Sequence, residues 1–408
     1  MMSEGAAEEA FGHSIDLASR WLGASVIAAN DESFGAKENL LVPGQADFKP
    51  GSYSHSGEIV DGWETRRRRF DPGEDWVIVR LGCPGIIQKV DVDTSFFTGN
   101  FPDYCRIEAC GMEGYPSLAE LQRVETEWIE ILPRSPLKGD GSNVFKINDL
   151  RRFTHIRLSV EPDGGVARLR AIGQPMPDPR LWDDLTIDAA SQDHGGIVVR
   201  SSNGFYTSAG MINRPDRARS MGEGWETRRR RDAGHDHAII KLGISAHIRQ
   251  VEIDTAHFKH NASSHVEVYG CHAIDAPANS SRDWQPLVLR QRLQPDTRHV
   301  FRLRPESARV NWVRLDAFPD GGISRVRFWG RASAQARLQA GLQWFNALPN
   351  SQCRSVLAAE GLSGQGATEL IAMRPLSVLD LDQLATSLPQ EIAQALTGSP
   401  RNRGAVQE

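Results

Sequence analysis

No stretch of this 408-residue chain approaches the roughly 18 uninterrupted apolar residues that a membrane-spanning helix requires. Its opening, Met1 to Glu9, is small and acidic, where a secretory leader would be basic and then apolar. An excess of one charge is also missing: 47 Lys and Arg stand against 52 Asp and Glu, a formal net charge of −5. Neither nucleic acid nor an anionic membrane is therefore expected as a partner, and a cytoplasmic location is. Cysteine is scarce. Cys83, Cys105, Cys110, Cys271 and Cys353 are odd in number and too scattered for a disulfide framework or a Cys-x-x-Cys metal knuckle, so they read as reduced thiols. The Gly-x-Ser-x-Gly elbow, the phosphate-cradling Gly-x-x-x-x-Gly-Lys loop and a helix-opening Gly-x-Gly-x-x-Gly are all missing, which leaves serine-nucleophile hydrolysis and nucleotide use without support.

What the chain does have is an internal repeat. Asp61-Gly-Trp-Glu-Thr-Arg-Arg-Arg-Arg69 recurs within Gly222-Glu-Gly-Trp-Glu-Thr-Arg-Arg-Arg-Arg231. Three further blocks follow in the same order: Gly73 to Gly82 matches Gly234 to Gly243, Val92 to Phe97 matches Ile253 to Phe258, and Arg157 to Gly165 matches Arg314 to Gly322. Four ordered matches at nearly constant spacing mean a tandem duplication. Within each copy, short runs such as Trp76-Val-Ile-Val-Arg-Leu81 and Phe153-Thr-His-Ile-Arg-Leu-Ser-Val160 carry the β-branched, alternating pattern of strands, punctuated by Pro-Asp-Gly-Gly turns. The expectation is a mainly β protein: a jelly-roll sandwich over 14–173, a proline-stiffened linker over 174–190 that ends in an acidic element, a second jelly roll over 191–332, and a small helical appendage over 333–398. In the appendage, apolar residues recur at three and four from Arg337, from Ser351 and from Asp380 to Leu396.

The repeated Trp-Glu-Thr-Arg run carries the sharpest chemical signal. Extended alternation puts Trp63 and Thr65 on one face and Glu64, Arg66 and Arg68 on the other. One reading is a solvated charged face anchored by its tryptophan. The other is an anion site, because arginine fills all eight repeated basic positions and its planar fork fits a carboxylate as lysine does not. Asp93 and Asp254 close a strand, where turn capping competes with a role in binding. Asn100 and Asn261 lie in the loop that follows, and each is equally readable as a turn residue. Histidines break the symmetry: copy two has His235, His237, His257 and His260 where copy one has Glu74, Trp76, Phe96 and Gly99. His257 suits acid–base work, and His260 reads as a surface histidine. No cofactor is expected, although imidazoles beside Asp236 and Asp254 leave a divalent metal as the alternative.

These blocks, with Asn30-Asp-Glu-Ser-Phe-Gly-Ala-Lys-Glu-Asn-Leu-Leu41 and Val92-Asp-Thr-Ser-Phe-Phe-Thr-Gly-Asn-Phe-Pro102, resemble the allantoicase family over about residues 14 to 332. The resemblance implies two galactose-binding-like jelly rolls and hydrolysis of allantoate to ureidoglycolate and urea in purine breakdown. A homo-oligomer is expected as well. Expelling urea from a carbon that bears a carboxylate requires a cation on that carboxylate, a proton for the leaving nitrogen and a base for water. On that reading Glu64, Glu226, Asp254 and His257 are the catalytic candidates. Arg66, Arg68, Arg228, Arg230, Asp93, Asn100 and Asn261 are the binding candidates. A carboxylate flanked by arginines should have a lowered pKa, which suits a base. Copy two pairs Ser201-Ser-Asn-Gly-Phe205 with Asn30-Asp-Glu-Ser-Phe34 and so loses the acidic pair, which makes a single site per chain more economical than two. Either copy can hold it. The alternative is a non-catalytic tandem carbohydrate-binding module, disfavoured by an aromatic content of only 7%. A third reading is a structural partner for another enzyme. It draws on the tail, where Phe345-Asn-Ala-Leu-Pro349 and Arg374-Pro375 resemble the opening of ureidoimidazoline decarboxylase. That match stops short of the enzyme's catalytic histidine, so no decarboxylase activity is expected and the tail reads as a docking or oligomerisation element.

Overall fold

The structure, a computed structural model, describes residues 9–10, 14–49, 51–54, 57–58, 61–69, 73–384 and 388–398. The acidic opening before Glu9 and the polar stretch from Ser399 lie outside the described residues. In chain order the first-copy strands, with the short one that precedes them, are β1 (Glu9–Ala10), β2 (Ile15–Asp16), β3 (Ser25–Ala29), β4 (Tyr53–Ser54), β5 (Gly57–Glu58), β6 (Trp63–Glu64), β7 (Asp75–Asp93), β8 (Tyr104–Cys110), β9 (Ile129–Pro136), β10 (Ser142–Lys146), β11 (Arg152–Glu161), β12 (Gly165–Val166) and β13 (Arg168–Pro175). The second-copy strands are β14 (Ile187–Asp188), β15 (Ile197–Ser201), β16 (Trp225–Glu226), β17 (Asp236–Asp254), β18 (His265–Cys271), β19 (Gln285–Arg292), β20 (Arg298–Arg302), β21 (Arg309–Phe318), β22 (Gly322–Ile323) and β23 (Arg325–Ala332).

Each copy is an antiparallel sandwich organised around one 19-residue strand. The first part of β7 pairs with β3 and β11, and its last part pairs with β10 and β13, so a single strand serves both layers. In the second copy β17 does the same with β15 and β21, then with β20 and β23. The crossover falls where the sequence repeats Leu-Gly. A Cβ on Gly82 would lie 2.7 Å from the Ala24 nitrogen, and one on Gly243 would lie 2.0 Å from the His194 carbonyl oxygen, so only glycine lets the neighbouring backbone approach there. Alternation then fills the cores: Val77, Val79, Val90, Val92, Ile107, Ile156 and Leu158 in the first copy, and Ala238, Ile240, Val251, Ile253, Val266, Val313 and Leu315 in the second, are all buried.

The stretch 174–190, read as a linker, is taken up by the sandwiches. Gln174 and Pro175 end β13, opposite Ile86 and Gly85. Asp178 caps the 3-10 turn Pro179–Trp182 by accepting from the Arg180 N–H, and Ile187 and Asp188 pair with Gly330 and Trp329. Proline suits both places, at a strand end and as the first helical residue, because neither needs its missing N–H.

The tail forms the small C-terminal helices expected, and its parts fall in two units. Its helices are α2 (Ala334–Ala347), α3 (Asn350–Ala359), α4 (Gly364–Ala372), α5 (Val378–Leu384) and α6 (Gln390–Thr397), after a short α1 (Leu118–Leu121) in the first copy. The chain forms two compact units: Ile15–Pro177 with Leu342–Ala393, and Asp178–Gly341 with the described parts of the chain ends. In the first unit, Gln352 donates to Glu113 Oε1 at 2.7 Å, and the buried Arg152 donates to the same atom. In the second, Arg337 holds Asp183 with two nitrogens at 2.7 and 2.9 Å and donates to the Ala395 and Leu396 carbonyls. Trp344, Phe345 and Leu348 are buried within the chain. The periodicity from Asp380 to Leu396 divides into α5 and α6 because Pro389, which has no N–H to donate, stands just ahead of α6.

Candidate active site

The repeated motif builds the same platform in both copies. β6 pairs with β12 and β16 with β22, which sets Trp63 and Trp225 wholly inside. Their indole N–H groups donate to the Asp31 carbonyl at 2.8 Å and the Asn203 carbonyl at 2.7 Å. Thr65 and Thr227 point inward too and accept from the Gly164 and Gly321 N–H groups at 3.0 and 2.7 Å. Alternation therefore turns Glu64 and Glu226 outward, half-buried at the mouth. There each carboxylate is gripped by the asparagine of the loop after the long strand. Asn100 Nδ2 donates to Glu64 Oε1 at 2.7 Å, and Asn261 Nδ2 donates to Glu226 Oε1 at 2.6 Å. A single charge-assisted bond fixes the group's direction and leaves Oε2 open.

Burial raises the Glu64 carboxyl above its usual range, with the Asn100 bond opposing it. The lowering expected from flanking arginines is not found, because those arginines look elsewhere. Arg66 donates to Ser33 Oγ at 3.2 Å. Arg68 pairs with Asp75 at 2.6 Å, and Arg230 with Asp236 at 2.9 Å, both aspartates being fully buried. Arg228 lies over the Phe205 ring at 4.3 Å. The extrapolated strand ends after Glu64 and Glu226. Asp163 and Asp320 accept the backbone N–H of Arg68 and Arg230 at 2.6 and 3.0 Å and draw the chain off the strand path. The guanidinium left at the second-copy mouth is that of Arg229, which has no hydrogen-bond or ion-pair partner among the described residues.

Around Glu226 lies a cavity of about 480 Å³, lined among others by Tyr206, Arg229, Arg230, His260, Asn261 and Asp320. It collects three residues expected from the sequence: Glu226, Asn261 and Arg230. Asp254 and His257 are not in its lining. Asp254 Oδ1 accepts the Ala256 N–H at 2.8 Å, and Asp93 Oδ1 accepts Ser95 N–H and Oγ at 2.8 and 2.6 Å, so both cap turns. His257 occupies a left-handed position (φ 72°); its N–H donates to Asp296 at 2.7 Å and its Nε2 to the Ala218 carbonyl at 3.0 Å. Phe96 has the same role in the first copy, with φ 69° and an N–H bond to Asp140 at 2.8 Å, so this position is built for the turn.

Tyr206, Arg229 and His260 were not among the site candidates drawn from the sequence, where His260 read as a surface histidine and Arg229 only as part of the arginine run. The histidine was visible as a break in symmetry beside Asn261, where Gly99 precedes Asn100. The tyrosine was hidden by a one-residue misalignment. Phe34 and Tyr206 donate their N–H groups to the Glu64 and Glu226 carbonyls, each at 3.2 Å. Tyr206, not Phe205, is thus the counterpart of Phe34, and Asn203 that of Asp31. Among the described residues no group of three or more His, Cys, Asp or Glu is placed to hold a metal. His235 meets Asp316 at 3.3 Å and His237 meets Asn279 at 2.7 Å.

Comparison with known proteins agrees with this double platform. The allantoicase repeat model matches residues 15–176 and 187–333. The probable allantoicase of Nocardia farcinica is 45% identical over 315 residues, covering 77% of this chain and 93% of that protein. That of Streptomyces coelicolor is 43% identical over 337 residues, covering 80% and 88%. The crystal structure of allantoicase from Saccharomyces cerevisiae superposes with a TM-score of 0.66 at 31% identity, over 79% of this chain and 100% of that one. With both repeats matched in order, and with the Trp-Glu-Thr platform present twice, this chain belongs to the allantoicase family.

Proposed function

We propose that the chain hydrolyses allantoate to ureidoglycolate and urea in purine breakdown, and that the second-copy cavity does so. The observation that carries this reading is Glu226, held at one oxygen by Asn261 and free at the other, beside the unpaired Arg229 guanidinium. Arg229 offers a planar fork to the substrate carboxylate, and the free carboxylate oxygen of Glu226 takes a proton from the attacking water. Arg68 and Arg230 serve the platform, and Asp93 and Asp254 serve its turns. The reading needs no cofactor. It places the protein in the cytoplasm, which suits five cysteines that are all buried and unpaired. It also takes the chain to be a homo-oligomer, with exposed Leu289 and Val300 on β19 and β20 as apolar surface to cover. No helix among the described residues is long and apolar enough to cross a membrane.

The test is urea release from allantoate by the purified chain. Glu226→Gln should lower kcat by about 100-fold or more, and Arg229→Lys should raise KM by about tenfold, since it keeps the charge but loses the fork. If Glu226→Gln keeps half the turnover, the first copy works as well and the single-site reading fails. No urea from the unaltered chain would return the question to a binding module.

A further inference from the structure

We propose that His260 is the proton donor to the departing urea nitrogen, the group that makes the second copy the one that turns substrate over. This rests on the reading that allantoate occupies that cavity.

The two platforms agree in the carboxylate and its asparagine, in the arginine paired with a buried aspartate, and in the aspartate that takes the arginine N–H. Across the mouth they differ in proton-bearing groups. The residue before the gripping asparagine is Gly99 in the first copy and His260 in the second, and the residue whose N–H meets the glutamate carbonyl is Phe34 in the first and Tyr206 in the second. Imidazole thus stands in the second mouth alone, one residue from the amide that holds Glu226. Its ring has no hydrogen-bond or ion-pair partner among the described residues, whereas His235, His237 and His257 of the same copy are all engaged. The charged groups that line the cavity with it are Glu226, Arg229, Arg230 and Asp320. Arg230 is committed to Asp232 and Asp236, and Asp320 to the Arg230 N–H. Glu226 and Arg229 remain to act with the imidazole.

The reaction needs two proton movements of opposite sense, and the cavity has a group for each. In the first step the imidazolium N–H passes its proton to the ureido nitrogen that leaves. The bond from that nitrogen to the central carbon breaks, and the lone pair of the remaining ureido nitrogen forms a C=N bond, giving an iminium-like cation and neutral urea. In the second step water adds to that carbon, the C=N pair returns to nitrogen, and Glu226 takes the proton from the water oxygen. The proton gained by Glu226 equals the one lost by the imidazole and returns through solvent. Glu226 is occupied as the base of the second step, and the unengaged imidazole in the same lining can give a proton to nitrogen and regain one from solvent.

His260→Gly installs the residue that the first copy carries at an exposed position, so folding is not at risk. In the unaltered chain the kcat profile should carry an alkaline limb. In His260→Gly, kcat should fall by about 100-fold or more with KM changed less than about threefold. The alkaline limb should vanish, and added imidazole should restore part of kcat. His260→Gln should behave alike but resist rescue. A kcat within threefold of the original, a loss carried by KM alone, or an unchanged alkaline limb without rescue would overturn the assignment. If the unaltered chain releases no urea, the activity reading falls instead, so the two failures are told apart.

Discussion

Replacing Arg230 by methionine separates two roles that the arginine run permits. The Asp236 carboxylate beneath it is fully buried. Its Oδ1 accepts from Arg230 Nη1 at 2.9 Å and from Ser202 Oγ at 2.8 Å, and its Oδ2 is buried without a hydrogen-bond partner. Removing the guanidinium strands that charge, which in buried pairs costs about 3–5 kcal/mol. For a unit of this size, about 2–4 °C is lost per kcal/mol, so the calorimetric midpoint should drop by about 6–20 °C. Asp236→Asn in the same chain should recover a good part of that loss. Arg229→Met, which breaks no pair, should stay within about 0.5 kcal/mol. A melting point for Arg230→Met within 2 °C of the original, with a raised KM, would refute the structural role and restore the substrate clamp suggested by the sequence.

Two further outcomes follow from the buried groups of the second unit. Asp188 is pushed up to about 6 by burial, with Arg327 at 3.5 Å and His194 opposing the rise. A carboxyl raised on folding favours the fold below its unfolded pKa and loses that contribution as pH climbs through the folded one. Urea titrations should therefore show Asp188→Asn gaining about 3 kcal/mol relative to the original chain between pH 4 and pH 8; a difference independent of pH would sink the argument. Arg337 is buried, with two bonds to Asp183 and two to the carbonyls that end α6. Arg337→Ala should lower stability by about 2 kcal/mol and leave the mass by light scattering unchanged, whereas a changed mass would mean that the tail serves assembly.

The duplication and the strand-rich architecture were legible in the residues because they rest on local regularities. Alternation set Trp63 and Thr65 inside and Glu64 outside, and the same rule served the second copy. That the repeated Leu-Gly falls at the crossover of the long strand emerged only from the structure, where the neighbouring backbone leaves no room for a Cβ. What the sequence could not rank was the members of a run of identical arginines. Their roles depend on which aspartate arrives from elsewhere in the chain: Asp75 and Asp236 from the long strands, Asp163 and Asp320 from the turns about 90 residues on. The grip of Asn261 on Glu226 spans 35 residues of sequence, and the equivalence of Phe34 with Tyr206 is set by a backbone bond that identity of side chains misaligned by one. Periodicity reports which face a side chain takes, and it determined the platform. Charge pairing and cavity lining depend on what lies across the face, and there tertiary structure alone set Arg229 and His260 in the lining of one cavity.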